Sequence, residues 1–140
     1  MEITRREVLA GALLPFVQLT GAPTANAQQT QVPNGTVFEH DLPNLTLDDW
    51  QVTVSTINLE PGSGGRPHRH PGFVLVYVLE GEVVTKISGQ QEVTYSAGQM
   101  FYEQPGSTHE VSRNASATKP AKFLVVFVKE KGAPVLVPSE

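Results

Sequence analysis

From residue 36 onward, glycines, prolines and short polar clusters cut the sequence into brief runs rich in valine, isoleucine, threonine and aromatic residues. No window of ten or more residues in that stretch carries an apolar stripe at helical spacing. The punctuation leaves strands as the regular structure this chain can build. "WQVTVSTINLEPG" alternates Trp50, Val52 and Val54 with Gln51, Thr53 and Ser55, which predicts a half-buried strand ending at Pro61-Gly62. "FVLVYVLEG" predicts another, and "EVVTKISGQQEVTY" two more around a turn at Ser88-Gly89-Gln90; "QMFYEQPG", "HEVS" and "KFLVVFV" complete the set. The run from Lys122 to Lys129 is apolar throughout between its lysines, the pattern of a strand buried on both faces. In "GAPVLVPSE" prolines stand on both sides of Val135 to Val137, so a strand there belongs at an edge. About seven short strands separated by turns predict an all-β sandwich or barrel rather than a parallel α/β sheet.

The N-terminus reads differently. Arg5-Arg6 precedes an uncharged stretch from Val8 to Leu19, and Ala25-Asn26-Ala27 supplies small residues for cleavage, the layout of a signal peptide. The stretch is too short for a membrane span, which needs about 18 or more apolar residues. "TRREVLAG" resembles a twin-arginine export signal at Thr4, Arg5, Arg6 and Leu9, while Val8 and Ala10 depart from the Phe and Lys of that pattern. An ordinary secretory signal with adjacent arginines would also lead out of the cytoplasm. The expected organisation is a cleaved signal peptide over 1–27, a flexible lead-in over 28–35 and one domain over 36–140. The expected destination is the bacterial periplasm or the extracellular medium.

Composition narrows the chemistry. The chain has no cysteine, which removes disulfides, thiolate metal sites and a cysteine nucleophile together. Its formal net charge is −4 and no cluster of Lys or Arg occurs, so neither nucleic acid nor an anionic membrane is an expected partner once the signal is removed. A small neutral or weakly charged molecule fits better. Histidine and carboxylate remain as strong metal ligands, and the chain has four histidines.

Two of them stand two apart in "GRPHRHPGF". On an extended strand residues i and i+2 share a face, about 6.6–6.8 Å apart, so His68 and His70 could converge on one ion. By itself the pair is a weak signal, because paired histidines on surface strands are common. The frame around it is more specific. Gly62, five residues, His68, one residue, His70, three residues, Val74, six residues and Gly81 reproduce the spacing of the first cupin motif, and the chain resembles the cupin family there. Val74 stands where that family usually has Glu. Gly98, then Gln104-Pro105-Gly106, then His109 and Asn114 resemble the second motif, with the proline and the asparagine each displaced by one place.

The resemblance implies a single small jelly-roll barrel holding one metal ion through His68, His70 and His109. Three neutral imidazoles on rigid strands would leave coordination positions free for water or substrate. Imidazole suits Fe, Mn, Zn, Ni or Cu, so one divalent ion is expected without its identity. His40, in "FEHDL", has no ligand partner at a useful spacing and reads as a surface histidine.

A strand running on from His70 would turn Val74 inward, where it cannot ligate. Glu80, Glu82 and Glu92 fall at turns or on polar faces, whereas Glu103 lies in "MFYEQPG" on an otherwise apolar strand. A carboxylate buried there needs a cation or hydrogen-bond donors. Glu103 is therefore expected to replace the absent carboxylate, as a metal ligand, as a hydrogen-bond acceptor beside one, or as the catalytic general base; a twisted strand would instead turn it to solvent. Strand parity names Val74, Val76, Phe101 and Phe127 as candidate pocket wall and sends Tyr102 outside the barrel or into a dimer contact. The expected function is metal-dependent chemistry on a small oxygenated or thiol substrate, of dioxygenase type. A non-catalytic ligand- or metal-binding module, or an isomerase or lyase with Glu103 as base, are the alternatives. Family habit makes a homodimer the default.

Overall fold

The computed structural model describes residues 35–139; the signal-peptide reading of 1–27 and nearly all of the lead-in lie outside the described residues. The fold is all-β, and no helix occurs among the described residues. β8 (Ala121–Glu130) is the organising strand, flanked by β1 (Trp50–Leu59) and β3 (Phe73–Glu80), with β6 (Met100–Glu103) beyond β3. The second sheet runs β5 (Val93–Ser96), β4 (Glu82–Ile87), β7 (Thr108–Asn114), β2 (His68–Arg69) and β9 (Val137–Pro138). All pairings are antiparallel, and the two sheets face each other as the halves of a jelly roll.

Period-two patterning fills the interior. Val74, Val76 and Val78 on β3, Phe101 on β6 and Phe123, Val125 and Phe127 on β8 form one buried cluster with Val83 of β4. Burying each such side chain contributes about 1.5–3 kcal/mol relative to exposure. The sequence expectation for β8 is corrected here: Phe123, Val125, Phe127 and Lys129 are buried, while Lys122, Leu124, Val126 and Val128 are half-exposed. One face is in the core and the other is the outside of the sheet.

β1 follows the opposite parity from the one its apolar residues suggest. Val52 and Val54 are 63% and 56% exposed, and Thr53 and Ser55 face inward. The cause is across the ladder, where Thr53 lies opposite Phe127, Ser55 opposite Val125 and Ile57 opposite Phe123. The bulky inner face of β8 fills the interior and leaves room for small residues on its neighbour.

Two corners matter for the site. β2 belongs to one sheet and β3 to the other, so the strand does not continue from His70 to Val74; Pro71-Gly72 carries the chain across. A Cβ at Gly72 would sit 1.9 Å from the Val128 carbonyl oxygen, so no larger residue fits this close approach. At the far end of β3, Gly81 turns the chain into β4 at φ +70°, a left-handed conformation that glycine adopts freely. β9 lies at the edge of its sheet, where Pro138 is tolerated.

Candidate metal centre

His68 meets one histidine across the ladder as well as the one beside it in sequence. β2 and β7 align His68 opposite His109, and their rings lie 5.1 Å apart between centroids. His70, at the corner after β2, brings its ring 4.8 Å from that of His68. One donor nitrogen from each of the three lies within 4.8 Å of the others. Two donors bonded to one ion at about 2.0–2.2 Å each are at most about 4.4 Å apart, so the cluster is close to a size that one ion could bridge.

Backbone carbonyls orient two of the rings. His68 Nδ1 donates to the Arg66 carbonyl at 2.7 Å, and His70 Nδ1 donates to the Val135 carbonyl in the segment before β9. With Nδ1 engaged, Nε2 is the free donor of each neutral ring. Burial holds the His68 imidazole below its usual pKa, with His109 and His70 adding to the effect and the Arg66 carbonyl opposing it. The neutral ring is the form a metal needs.

Glu103 approaches His70 and His109 of this cluster from the other sheet. It ends β6 opposite Val74 and is 2% exposed. Its Oε1 lies 3.1 Å from His109 Nδ1 and its Oε2 3.7 Å from His70 Nε2. Oε2 has no hydrogen-bond partner. The other nitrogen of His109, Nε2, meets the Thr85 hydroxyl at 2.5 Å. Three clustered imidazoles beside a buried carboxylate with one unpartnered oxygen are a donor set that fits a divalent cation.

The family is decided by a domain match: the profile of the cupin domain covers residues 55–127, just over half of the sequence. The chain is a cupin. Solved structures similar to this cupin include a conserved protein with a double-stranded β-helix domain from Klebsiella pneumoniae, at TM-score 0.54 and 23% identity over 64% of this chain and 75% of that one. DMSP lyase DddQ from Ruegeria pomeroyi is similar at TM-score 0.55 and 18% identity, over 63% of this chain and 43% of that one. An RmlC-like cupin from Methanocaldococcus jannaschii follows at TM-score 0.51 and 20% identity, over 56% of this chain and 70% of that one. At such identities the likeness is one of fold. No curated protein matches the sequence.

The cupin's cluster opens onto a cavity of about 190 Å³. Val76, Phe101 and Phe127 line it together with the three histidines and Glu103; Val74 does not, and packs in the core behind it. Sequence reasoning missed Ile57, Leu59, Phe123, Val125, Leu136 and Ser112, which also line the cavity. Phe123 and Val125 share the parity of Phe127 and could have been found from it. Ile57 was hidden by the misleading alternation of β1, and Leu136 by a tail whose position depends on pairing with β2. Thr85 carried no signal.

The remaining candidates take other places. Glu80, Glu82 and Glu92 are exposed, and so is His40, which packs on Tyr102 at 4.1 Å between ring centroids. Tyr102 faces outside the barrel, between His40 and Phe73. Asn114 is structural: its side-chain amide donates to the carbonyls of Leu59, Glu60 and Lys119, tying the end of β7 to the end of β1.

Proposed function

We propose that this cupin is an exported metal-dependent enzyme acting on a small oxygenated or thiol-bearing molecule, with one divalent ion held by His68, His70, His109 and Glu103. Glu103 carries the reading. A carboxylate 2% exposed, with one oxygen unpartnered and imidazoles at 3.1 and 3.7 Å, would cost several kcal/mol without a cation. When bound, the ion supplies Lewis acidity toward a substrate oxygen or sulfur and, where it is iron or manganese, access to oxygen chemistry.

The protein's own groups account for the rest. The Arg66 and Val135 carbonyls keep Nε2 of His68 and His70 turned to the cluster. Thr85 holds the far side of His109. Phe101, Phe123 and Phe127 exclude water from the cavity beside the cluster. Glu103 lines that cavity, and where it does not ligate the ion it is the group placed to take a proton from a bound substrate.

Oxygen-dependent cleavage is the first reading. Isomerisation or elimination with Glu103 as base is the second, favoured by its unpartnered Oε2. Metal analysis of protein isolated from its own cell envelope, followed by oxygen uptake over diketones, flavonols and thiols with Fe(II)-loaded and metal-free protein, separates them. Uptake by the loaded protein alone supports the first, and turnover of a keto acid without uptake supports the second. Ligand binding with no turnover of any kind would leave a binding module. Export draws its support from Arg5-Arg6 and Ala25-Asn26-Ala27. A periplasmic chain beginning at Gln28 is the expected result, and a cytoplasmic chain retaining residues 1–27 would end that part of the proposal.

A further inference from the structure

We propose that the cavity selects substrates with a single oxygen-bearing head and an apolar, uncharged body of about six to eight non-hydrogen atoms, an inference that rests on the metal reading above. Polarity in the cavity is segregated. The histidines and Glu103 are gathered at the cluster, and beyond them Ser112 is, among the described residues, the one lining side chain able to hydrogen-bond. The wall is otherwise Phe123, Val125 and Phe127 of β8, Val76 of β3, and Ile57 and Leu59 of β1, with Phe101 and Leu136 closing it.

No Lys or Arg lines the cavity among the described residues. Arg66 and Arg69, beside the histidines in sequence, are exposed and do not line it, while Lys129 donates to the Ala133 carbonyl, Arg113 pairs with Glu92 at 2.6 Å and Lys86 pairs with Glu110 at 2.6 Å. A second anionic group on the substrate would therefore be buried without a countercharge. A polyol would fare little better, since Ser112 alone offers its hydroxyls a partner away from the cluster. A dianion and a sugar are both poorly served.

Size sets the other limit. A dry cavity of about 150 Å³ lined by Leu, Ile and Phe takes up benzene, and this one measures about 190 Å³. Its mouth is apolar too, because Ile57 and Leu136 line the cavity while remaining 37% and 43% exposed. A ring or branched chain of benzene size enters past them and leaves its head at the histidines.

The test uses Co(II)-loaded protein and three probes with the same metal-binding head: acetohydroxamate and benzohydroxamate, which bind as monoanions, and para-carboxybenzohydroxamate, which carries a second negative charge at the far end of its ring. Benzohydroxamate is expected to perturb the cobalt spectrum with a Kd about tenfold below that of acetohydroxamate, and the para-carboxy analogue to bind about tenfold more weakly than benzohydroxamate. Ile57→Arg, at the partly exposed mouth, should bring the para-carboxy analogue level with benzohydroxamate and leave the ligand-free cobalt spectrum unchanged. Equal affinity for the two aromatic probes in the unaltered protein, or preference for the small head alone, overturns the proposal. Failure to take up cobalt sinks the metal reading separately. The chamber is then read on metal-free protein, where benzene should raise the melting temperature and no rise would overturn the inference.

Discussion

Glu103 stands directly opposite Val74 across the β3–β6 ladder, and both side chains point between the sheets at 2% and 1% exposure. Side chains so placed start about 5 Å apart. A carboxylate absent from one position is thus available from the other, and the inside of the barrel receives it from β6 instead of β3.

Glu103→Gln is expected to lower affinity for Zn(II) or Co(II) by about 10–100-fold, measured by competition with a chromogenic chelator, with the fold retained. Moving the carboxylate back by combining Val74→Glu with Glu103→Val should recover most of that loss. Unchanged affinity in Glu103→Gln would remove Glu103 from the donor set.

Thr85→Val swaps the hydroxyl beside His109 Nε2 for a methyl of similar size and leaves a buried ring nitrogen without its partner. Stability of the metal-free protein should fall by about 1–3 kcal/mol in urea titration. A midpoint equal to that of the unaltered protein would show that Thr85 does not hold the ring.

At the sheet-to-sheet corner, Gly72→Ala forces the Val128 carbonyl to move, because the added Cβ would overlap it at 1.9 Å. The expected cost is about 2–3 kcal/mol, read from thermal unfolding. His70 sits two residues before the corner, so metal affinity should drop as well. Wild-type affinity and melting temperature together would contradict this account of the corner.

Deleting the chain from Pro134 onward removes the Val135 carbonyl from His70 Nδ1, Leu136 from the cavity mouth and the two-residue β9. The barrel should persist, since β9 is a short edge strand, while metal affinity falls about tenfold or more. Circular dichroism checks the first outcome and chelator competition the second. Loss of the β signal would instead make the tail part of the core structure.

Much of the architecture was readable along the chain. Strand runs and the Ser88-Gly89-Gln90 turn depend on neighbouring residues, and the order of strands in "EVVTKISGQQEVTY" appears in the fold as β4 and β5. Parity was less dependable. On β1 it pointed Val52 and Val54 the wrong way, because which face of an edge strand turns inward was decided by Phe123, Val125 and Phe127 on β8, some seventy residues later. On β8 an unbroken apolar run concealed an ordinary alternation, the half-exposed residues forming the outside of the sheet.

The sequence by itself determined that the chain is β-built, that it lacks thiolate chemistry, and that two histidine-bearing segments carry the spacing of a cupin. Those are properties of composition and of contiguous residues, where local geometry and side-chain chemistry act. Tertiary structure alone decided that Glu103 meets His70 and His109, that Thr85 and the Val135 carbonyl hold the rings, and that Ile57 and Leu136 form the mouth of the cavity. Each of these depends on the register between strands far apart in the chain, and register is set by packing two sheets around one core rather than by any single stretch of residues.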